Sequence, residues 1–599
     1  MAGDTLPQPA AIWIGLGALS IGFHLWLVFS GLVPSLVARP MHMALLLPWA
    51  LLATARGPLE RWSGAALTVA GFMGCLWIAL NAGPLGDQYG YLEGPVQMAI
   101  ALLLIVTVLE MARRMIGWPL PLVAALALLY AAAGQHLPGA FGHPGLPLAS
   151  LLGTLVITEG GLWGSLTAIS AGVVAVFVIL GAVLNAGEAG QGFMNLAAFA
   201  AGRLRGGAAK MAVLSSALLG SISGSASANV ASTGAVTLPA MTRLGYPPRL
   251  AGAVEAVASS GGQIMPPLMG AGAFVMVELT GVPYTGIITA AMFPAILYFL
   301  TVWQGIDAFA IRLRLAALPA SERPTRGRVA LTAAFFAVPF AVLLVGLFAS
   351  GLTPPYAGAL ATLSAALLLL VDDRGPVAPR RLGARLAGAC VTAGRQVALI
   401  GSVILCASLI VGVLAITGLG VKLTSLILSG AGQSLWGALL LTALACLVLG
   451  MEVPTTAAYV ICVSVAGPAL IELGLEPLTA HLFVFWFALL STITPPVCGA
   501  VFIAAGMVGE NWLRVAGAAM ALGLGLYIIP LGMVRAPALL DPFGAPVTAL
   551  AEAAVLGAGL GALSYGAIAP FRPAMRLGLL ALGLVLLFLG VGTVSRILG

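Results

Sequence analysis

The stretch 259–271, Ser-Ser-Gly-Gly-Gln-Ile-Met-Pro-Pro-Leu-Met-Gly-Ala, lies inside an apolar segment long enough to cross a membrane, yet it cannot stay helical. Two adjacent prolines remove two backbone donors and turn the residue before each away from helical φ/ψ. Two adjacent glycines accept whatever backbone results. The helix is therefore expected to break near Gly261–Pro267. In lipid such a break is tolerated only where the freed backbone groups face protein, water or a ligand. A second copy stands at 491–500, Ser-Thr-Ile-Thr-Pro-Pro-Val-Cys-Gly-Ala, with Ile493 on Ile264 (493 − 264 = 229). The same offset pairs Pro239 with Pro468, Leu244-Gly245 with Leu473-Gly474, and Pro248 with Pro477. These upstream matches count against two unrelated proline-kinked helices. Interrupted apolar segments at corresponding places in two halves point to a transporter's binding site.

Composition fixes the surroundings. With 61% hydrophobic and 8% charged residues and a mean hydropathy of +1.10, the chain has the make-up of a polytopic, all-α membrane protein. Its net charge of +7 is no sign of nucleic-acid binding, because the arginines fall in short loops that set orientation. The six cysteines (75, 390, 406, 446, 462, 498) and the histidines (24, 42, 136, 143, 481) are dispersed, without metal spacing or a disulfide framework. The N-terminus lacks a basic n-region, so 10–37 is read as a retained span rather than a cleaved signal.

Apolar segments follow at 41–55, 64–81, 96–112 and 119–134. Arg56, Arg61, Arg113 and Arg114 place their loops in the cytoplasm, leaving 82–95 and the Lys/Arg-free loop 135–150 outside, with Arg39 an exception. Segment 163–185 returns to Arg203, Arg205 and Lys210. The stretch 211–242, rich in small hydroxyl residues and flanked at both ends by basic residues, is expected to be a re-entrant helical hairpin; two ordinary short spans are the alternative. The spans 250–280, 286–303, 331–351, 354–371 and 397–418 then separate it from a second hairpin at 437–470, with basic loops at 312–328 and 374–395. An odd number of crossings inverts the second repeat, an arrangement that suits alternating access around a midplane site. Segments 478–506 and 515–534 close that repeat, and spans at 547–569 and 577–595 lie beyond it. The expected fold class is thus an inverted-repeat transporter with two re-entrant hairpins and two broken helices.

Two constellations could carry chemistry. The first is Ser223, Ser225, Asn229 and the break 259–266, whose hydroxyl, amide and unwound carbonyl oxygens are hard, neutral ligands suited to Na⁺. For any single serine, close packing and back-bonding to its own helix are the competing account. The second is 450–456, Gly-Met-Glu-Val-Pro-Thr-Thr, with Ser491, Thr492 and Thr494; Glu452 and Thr455 lie one turn apart. A carboxylate at mid-membrane costs about 2.5–3.5 kcal/mol, so it needs a partner or a task. Glu255 has the same status, with a structural ion pair or a helix cap as its alternative. Nucleotide-binding, hydrolase and zinc-protease motifs are lacking, so no enzyme is indicated. Other readings are a channel or a scaffold without coupled transport.

The runs Gly-Ser-Ile-Ser-Gly-Ser-Ala-Ser-Ala-Asn (220–229), Ala-Val-Glu-Ala-Val-Ala-Ser-Ser-Gly-Gly-Gln-Ile-Met-Pro-Pro (253–267) and Pro-Thr-Thr-Ala-Ala-Tyr (454–459) resemble the fused membrane subunit of a tripartite ATP-independent periplasmic (TRAP) transporter. So do Arg114-x-x-Gly-Trp-Pro-Leu-Pro121 and the Leu-Pro-Gly…His-Pro-Gly loop 137–145. The resemblance spans about 1–535. It implies a small-subunit-like four-helix scaffold (1–118), a connecting span and outside loop (119–150), and a large permease region (151–535) with repeats at about 163–303 and 397–534; 536–599 would be an addition. It further implies an elevator mechanism in the inner membrane, a periplasmic substrate-binding protein as partner, an organic acid anion as cargo and Na⁺ as coupling ion. Ion ligands would be Ser225, Asn229, Gly261, Ile264 and Pro266 in the first repeat, and Glu452, Thr455, Thr492 and Thr494 in the second. Ser223, Ser259, Ser260, Gln263, Thr456 and Ser491 are the candidates for the substrate cavity. Members commonly have a small residue where this chain has Glu452, which leaves a proton as the alternative coupling ion. The competing function is an anion transporter of related architecture that needs no binding protein.

Overall fold

The computed structural model describes residues 11–432, 434–451 and 453–598, with side chains of the last helix up to Phe588. Eleven of its helices are long and apolar enough to cross a membrane, or up to thirteen if each of two bent pairs counts as one span. Among the described residues the only strands are Val371–Asp372 and Gly375–Pro376, paired antiparallel. The protein is a polytopic, all-α membrane protein.

The chain divides into two compact units, one comprising residues up to Glu188 with Ala337–Leu426, the other Ala189–Phe336 with everything from Ile427 onward. The first unit is arranged along one long helix, Pro379–Thr417, whose 39 residues span about 58 Å. Small residues let its neighbours approach closely. Gly17 lies on the Cys390 backbone, Gly394 under the Trp49 ring, and Gly401 against Leu46. The arginines expected in the basic loop 374–395 mostly ride on this helix, which starts at Pro379. Arg385 is bonded to Glu188, and Arg381 lies 3.0 Å from Asp372. Two topology markers also have structural work. Arg114 donates to the carbonyls of Leu51 and Glu60 at 2.7 and 2.8 Å. Arg39, the exception to the orientation rule, donates to the Trp163 carbonyl and lies 3.5 Å from Glu159.

His24 and His42, dispersed in sequence, meet in this unit. His24 Nδ1 lies 2.6 Å from the Ser20 carbonyl, which can only accept, so this nitrogen carries the proton. His24 Nε2 therefore accepts from His42 Nδ1 at 2.8 Å, and His42 Nε2 accepts from Ser170 Oγ at 3.0 Å. With both rings neutral, every bond of the chain is satisfied.

The second unit contains both hairpins and both broken helices. The first hairpin is Gly207–Ser223 and Ala226–Arg243, turned by Gly224 at φ +60°, a left-handed value that favours glycine. The second is Leu435–Leu449 and Thr455–Glu472. The first broken helix is Pro248–Gly261 and Ala271–Thr280, the second Pro477–Leu490 and Gly499–Val508. Ala226–Arg243 and Pro248–Gly261 recur as Thr455–Glu472 and Pro477–Leu490 at the offset of 229 read from the prolines. Two short helices absent from the sequence reading, Ala189–Ala201 and Leu419–Gly430, hold the same relation within one residue. The expected span 515–534 is two pieces, Trp512–Leu522 and Leu524–Arg535, bent by 66°.

Lys210, read from sequence as an orientation charge, is buried. Its Nζ lies 2.6 Å from Asp307 and 5.1 Å above the Trp303 ring. The Tyr565 hydroxyl, from the penultimate helix Pro546–Ile568, donates to the other Asp307 oxygen at 3.0 Å.

Candidate functional site

Each break is closed on itself in the same way. At the first, the Gly270 amide reaches back to the Gln263 carbonyl at 2.7 Å; at the second, the Ala500 amide reaches Thr492 O at 3.2 Å. The Pro266–Pro267 and Pro495–Pro496 peptide bonds are both cis. Tyr284 from the helix Tyr284–Leu313 donates to the freed carbonyls of Pro267 and Leu268. Tyr298 of the same helix donates to Val257 O at 2.7 Å, and its ring fills the space a side chain on Gly261 would need.

Asn229 stands at the centre of the first constellation, fully buried. Its Nδ2 donates to the carbonyls of Ser216 at 2.9 Å and Ser259 at 3.4 Å, tying both arms of the hairpin to the broken helix. Its Oδ1 is buried without a hydrogen-bond partner. The Gln263 Nε2 is likewise buried and without one. An orphaned amide oxygen is a hard acceptor for a cation, and an orphaned amide N–H a donor for an anion. Close approach makes this geometry possible: a Cβ on Gly262 would lie 2.9 Å from the Ser216 carbonyl oxygen. Ser225 caps the second arm, accepting from the Ala228 amide at 3.4 Å, and Ser223 stays within the tip, near Gly220 O and Ser225 O. Gly261, Ile264 and Pro266 lie on the break itself.

In the second constellation, Ser491 Oγ reaches the Gly450 carbonyl at 3.0 Å and so joins the break to the hairpin tip. Thr494 Oγ1 lies 2.6 Å from the Tyr527 hydroxyl. Thr455 and Thr456 open the second arm of the hairpin, and among the described residues no hydrogen bond links them to Thr492 or Thr494. Glu452 lies outside the described residues. The two breaks meet directly, with Ser260 Oγ 2.8 Å from Thr492 Oγ1, so residues assigned separately to substrate and ion come together.

Glu255 forms neither the ion pair nor the cap that the sequence suggested. It is fully buried and accepts from four hydroxyls: Thr233, Thr237, Ser259 and Ser216. Thr237 was missed from sequence, although Asn229, Thr233 and Thr237 at i, i+4, i+8 mark one polar helix face. The tyrosines that close the site, Tyr284, Tyr298 and Tyr527, gave no sequence signal distinct from ordinary core aromatics.

Residues 103–541 match the family described as tripartite ATP-independent periplasmic transporter, DctM component. The chain belongs to this family. The match includes both hairpins and both breaks and leaves the first three spans and the C-terminal helix pair outside. Relatives of this permease include the C4-dicarboxylate TRAP transporter large permease protein DctM of Pseudomonas aeruginosa, 26% identical over 56% of this chain and 76% of that protein. The 2,3-diketo-L-gulonate TRAP transporter large permease protein YiaN of Escherichia coli is 27% identical over 55% and 76%. A shorter match, 30% identical over 26% of this chain and 28% of its partner, is to the isethionate TRAP transporter permease protein DctMQ of Oleidesulfovibrio alaskensis. The permease is accordingly a multi-pass inner-membrane transport protein and not an enzyme.

Proposed function

We propose that the permease takes up an organic acid anion of dicarboxylate or keto-acid type, handed over by a periplasmic binding protein and driven by a Na⁺ gradient. The observation that carries this reading is the partnerless Oδ1 of Asn229 beside the first break. Together with Ser225 and the carbonyls of Gly261, Ile264 and Pro266 it makes a neutral oxygen set that fits Na⁺. Thr455, Thr492 and Thr494, with Glu452, would form the second ion site. Gln263 Nε2 supplies the donor for a substrate carboxylate, and Ser223, Ser259, Ser260, Thr456 and Ser491 complete the polar lining. The cargo class follows the named cargo of two relatives, C4-dicarboxylate and 2,3-diketo-L-gulonate. Both hairpins and both breaks fall in one compact unit, which is what an elevator mechanism asks of its moving part. Residues 1–118 would serve as the small-subunit-like scaffold, 119–150 as its connection, 151–535 as the permease proper, and 536–599 as an addition.

The test is uptake of labelled succinate and pyruvate into proteoliposomes, with and without a periplasmic binding protein of either substrate class added outside. Uptake of one probe is expected under a Na⁺ gradient and only with the binding protein. Asn229→Ala should raise the Na⁺ concentration needed by about tenfold, the loss of one good ligand. Wild-type uptake driven by a pH gradient alone would overturn the sodium assignment. Equal uptake without the binding protein would favour the independent anion transporter.

A further inference from the structure

Glu255 sits where the two arms of the first hairpin meet the first broken helix, and among the described residues no cation faces it. On the hairpin's first arm, Lys210 is committed to Asp307. At the end of the second arm, Arg243 pairs with Glu322 at 3.7 Å. Arg249, on its own helix, and Arg312, on the helix Tyr284–Leu313, are exposed. Tyr298 gives its hydroxyl proton to Val257 O. From the second repeat, His481 is bonded to Tyr459 and Arg514 lies 3.5 Å from Glu510, while Gly499–Val508 carries no titratable residue. An ionised carboxylate in this setting depends on hydroxyl donors alone.

Those donors are two-way. Thr233 Oγ1 touches Glu255 Oε1 and also lies 2.8 Å from the Asn229 carbonyl. Thr237 Oγ1 touches Oε2 and lies 3.0 Å from the Thr233 carbonyl. Each hydroxyl has one proton and two acceptors. With Glu255 ionised, the protons of Thr233, Thr237, Ser259 and Ser216 can all point at the carboxylate. With a proton on Oε2, the new O–H donates to Thr237 Oγ1, and the Thr237 proton turns to the Thr233 carbonyl. No hydroxyl is left without an acceptor in either state. Oε2 is the natural seat of the proton, because Thr237 is its one hydroxyl partner while Oε1 has three.

We propose that Glu255 is a proton-binding site which, when ionised, ties both hairpin arms to the broken helix through charged hydrogen bonds and, when protonated, keeps only the weaker neutral ones. The reaction is the transfer of one proton from water to Oε2, with no other bond made or broken. Its consequence for uptake, a pH-dependent step in hairpin movement, rests on the transport reading above; the titration itself does not.

The test is infrared difference spectroscopy of the full-length permease in lipid nanodiscs, comparing acidic with alkaline buffer. A carboxylic-acid C=O band should grow on acidification in the wild type and lose the component of one buried carboxyl in Glu255→Gln, an amide that keeps the size and an acceptor oxygen, while the other carboxyls still contribute. Thr237→Val, which takes one donor from the ionised form, should enlarge the band at a given pH. That variant decides the matter even if Glu255→Gln does not fold. A band unchanged in both variants, or no such band in the wild type, overturns the proposal. A band that titrates as expected in a permease showing no uptake upholds the proton site and removes the transport reading instead.

Discussion

The two hairpin–break pairs share one backbone plan and differ in what fills it. In the first, Asn229, Glu255 and the hydroxyls of Ser216, Thr233, Thr237 and Ser259 form a continuous polar network. At the offset of 229 the second pair has Ala458, Val484, Ala445, Cys462, Ala466 and Ala488. Its interior is instead filled by Tyr459, hydrogen-bonded to His481 at 2.8 Å and set edge-on to Phe485 at 5.4 Å. Val230 and Gly252 stand at the first-repeat positions of Tyr459 and His481. Helix bounds and breaks are therefore held by prolines and glycines, while side-chain chemistry is free to diverge. A buried polar network stabilises only if each member is satisfied, and the first pair leaves Asn229 Oδ1 unpaired. That unpaired oxygen is where the ion proposed above would enter the first pair, and Thr442 Oγ1 on the second hairpin is likewise buried without a partner.

The largest effect that could break the comparison is all-or-none. If the repeats are inverted, the turns before the two broken helices face opposite sides of the membrane. In a background with the six native cysteines replaced, Arg249→Cys and Glu476→Cys, both at exposed positions, should be labelled from opposite sides by an impermeant thiol reagent. Labelling of both from one side would end the inverted-repeat reading and with it the elevator.

Next comes the close approach of backbones. Gly262 packs on Gly220, and a Cβ there would fall 2.9 Å from both the Gly220 carbonyl carbon and the Ser216 oxygen. The second repeat carries Ser491 at the matching place, where its hydroxyl bonds Gly450 O. Gly262→Ser should destabilise by about 3 kcal/mol, the upper range for overpacking, and abolish uptake. Ser491→Gly should lose about 1 kcal/mol, one hydrogen bond's worth. Thermal melting of both variants in detergent checks the order. Equal effects would mean that the first pair is no tighter than the second.

What was legible in the sequence follows the same division. Pro-Pro and Gly-Gly act locally, so the break near 261–267, its copy and the offset could be read directly. The first hairpin was found because small hydroxyl residues between basic flanks are a local pattern, and the second because it follows at the repeat offset. The helices Ala189–Ala201 and Leu419–Gly430 were missed because they are short and weakly apolar at their ends. The start of the long helix at Pro379 was missed because its first turns are basic and read as loop. Partners distant in sequence could not be read at all. Ser260 with Thr492, His24 with His42 and Tyr565 with Asp307 depend on packing that no local pattern encodes.

The smallest effect tests the one bond that joins the two breaks. Ser260 Oγ lies 2.8 Å from the Ala256 carbonyl, and Thr492 Oγ1 lies 2.7 Å from the Leu489 carbonyl. The hydroxyls also lie 2.8 Å from each other. Two protons serve three contacts, so one hydroxyl must give up its backbone acceptor to donate across. The net gain is correspondingly small, and a double-mutant cycle of Ser260→Ala and Thr492→Val should give a coupling of about 0.5–1 kcal/mol. Thr492 is proposed as an ion ligand and Ser260 as part of the substrate cavity, so the bond would also let the two repeats sense one another. Ser260→Ala should then change the Na⁺ concentration needed for uptake by a few-fold, though Ser260 is no ligand itself. Zero coupling in stability, with Na⁺ dependence unmoved, would leave the breaks as neighbours that do not communicate, and the polar first pair would have to bind its ligand without help from the second.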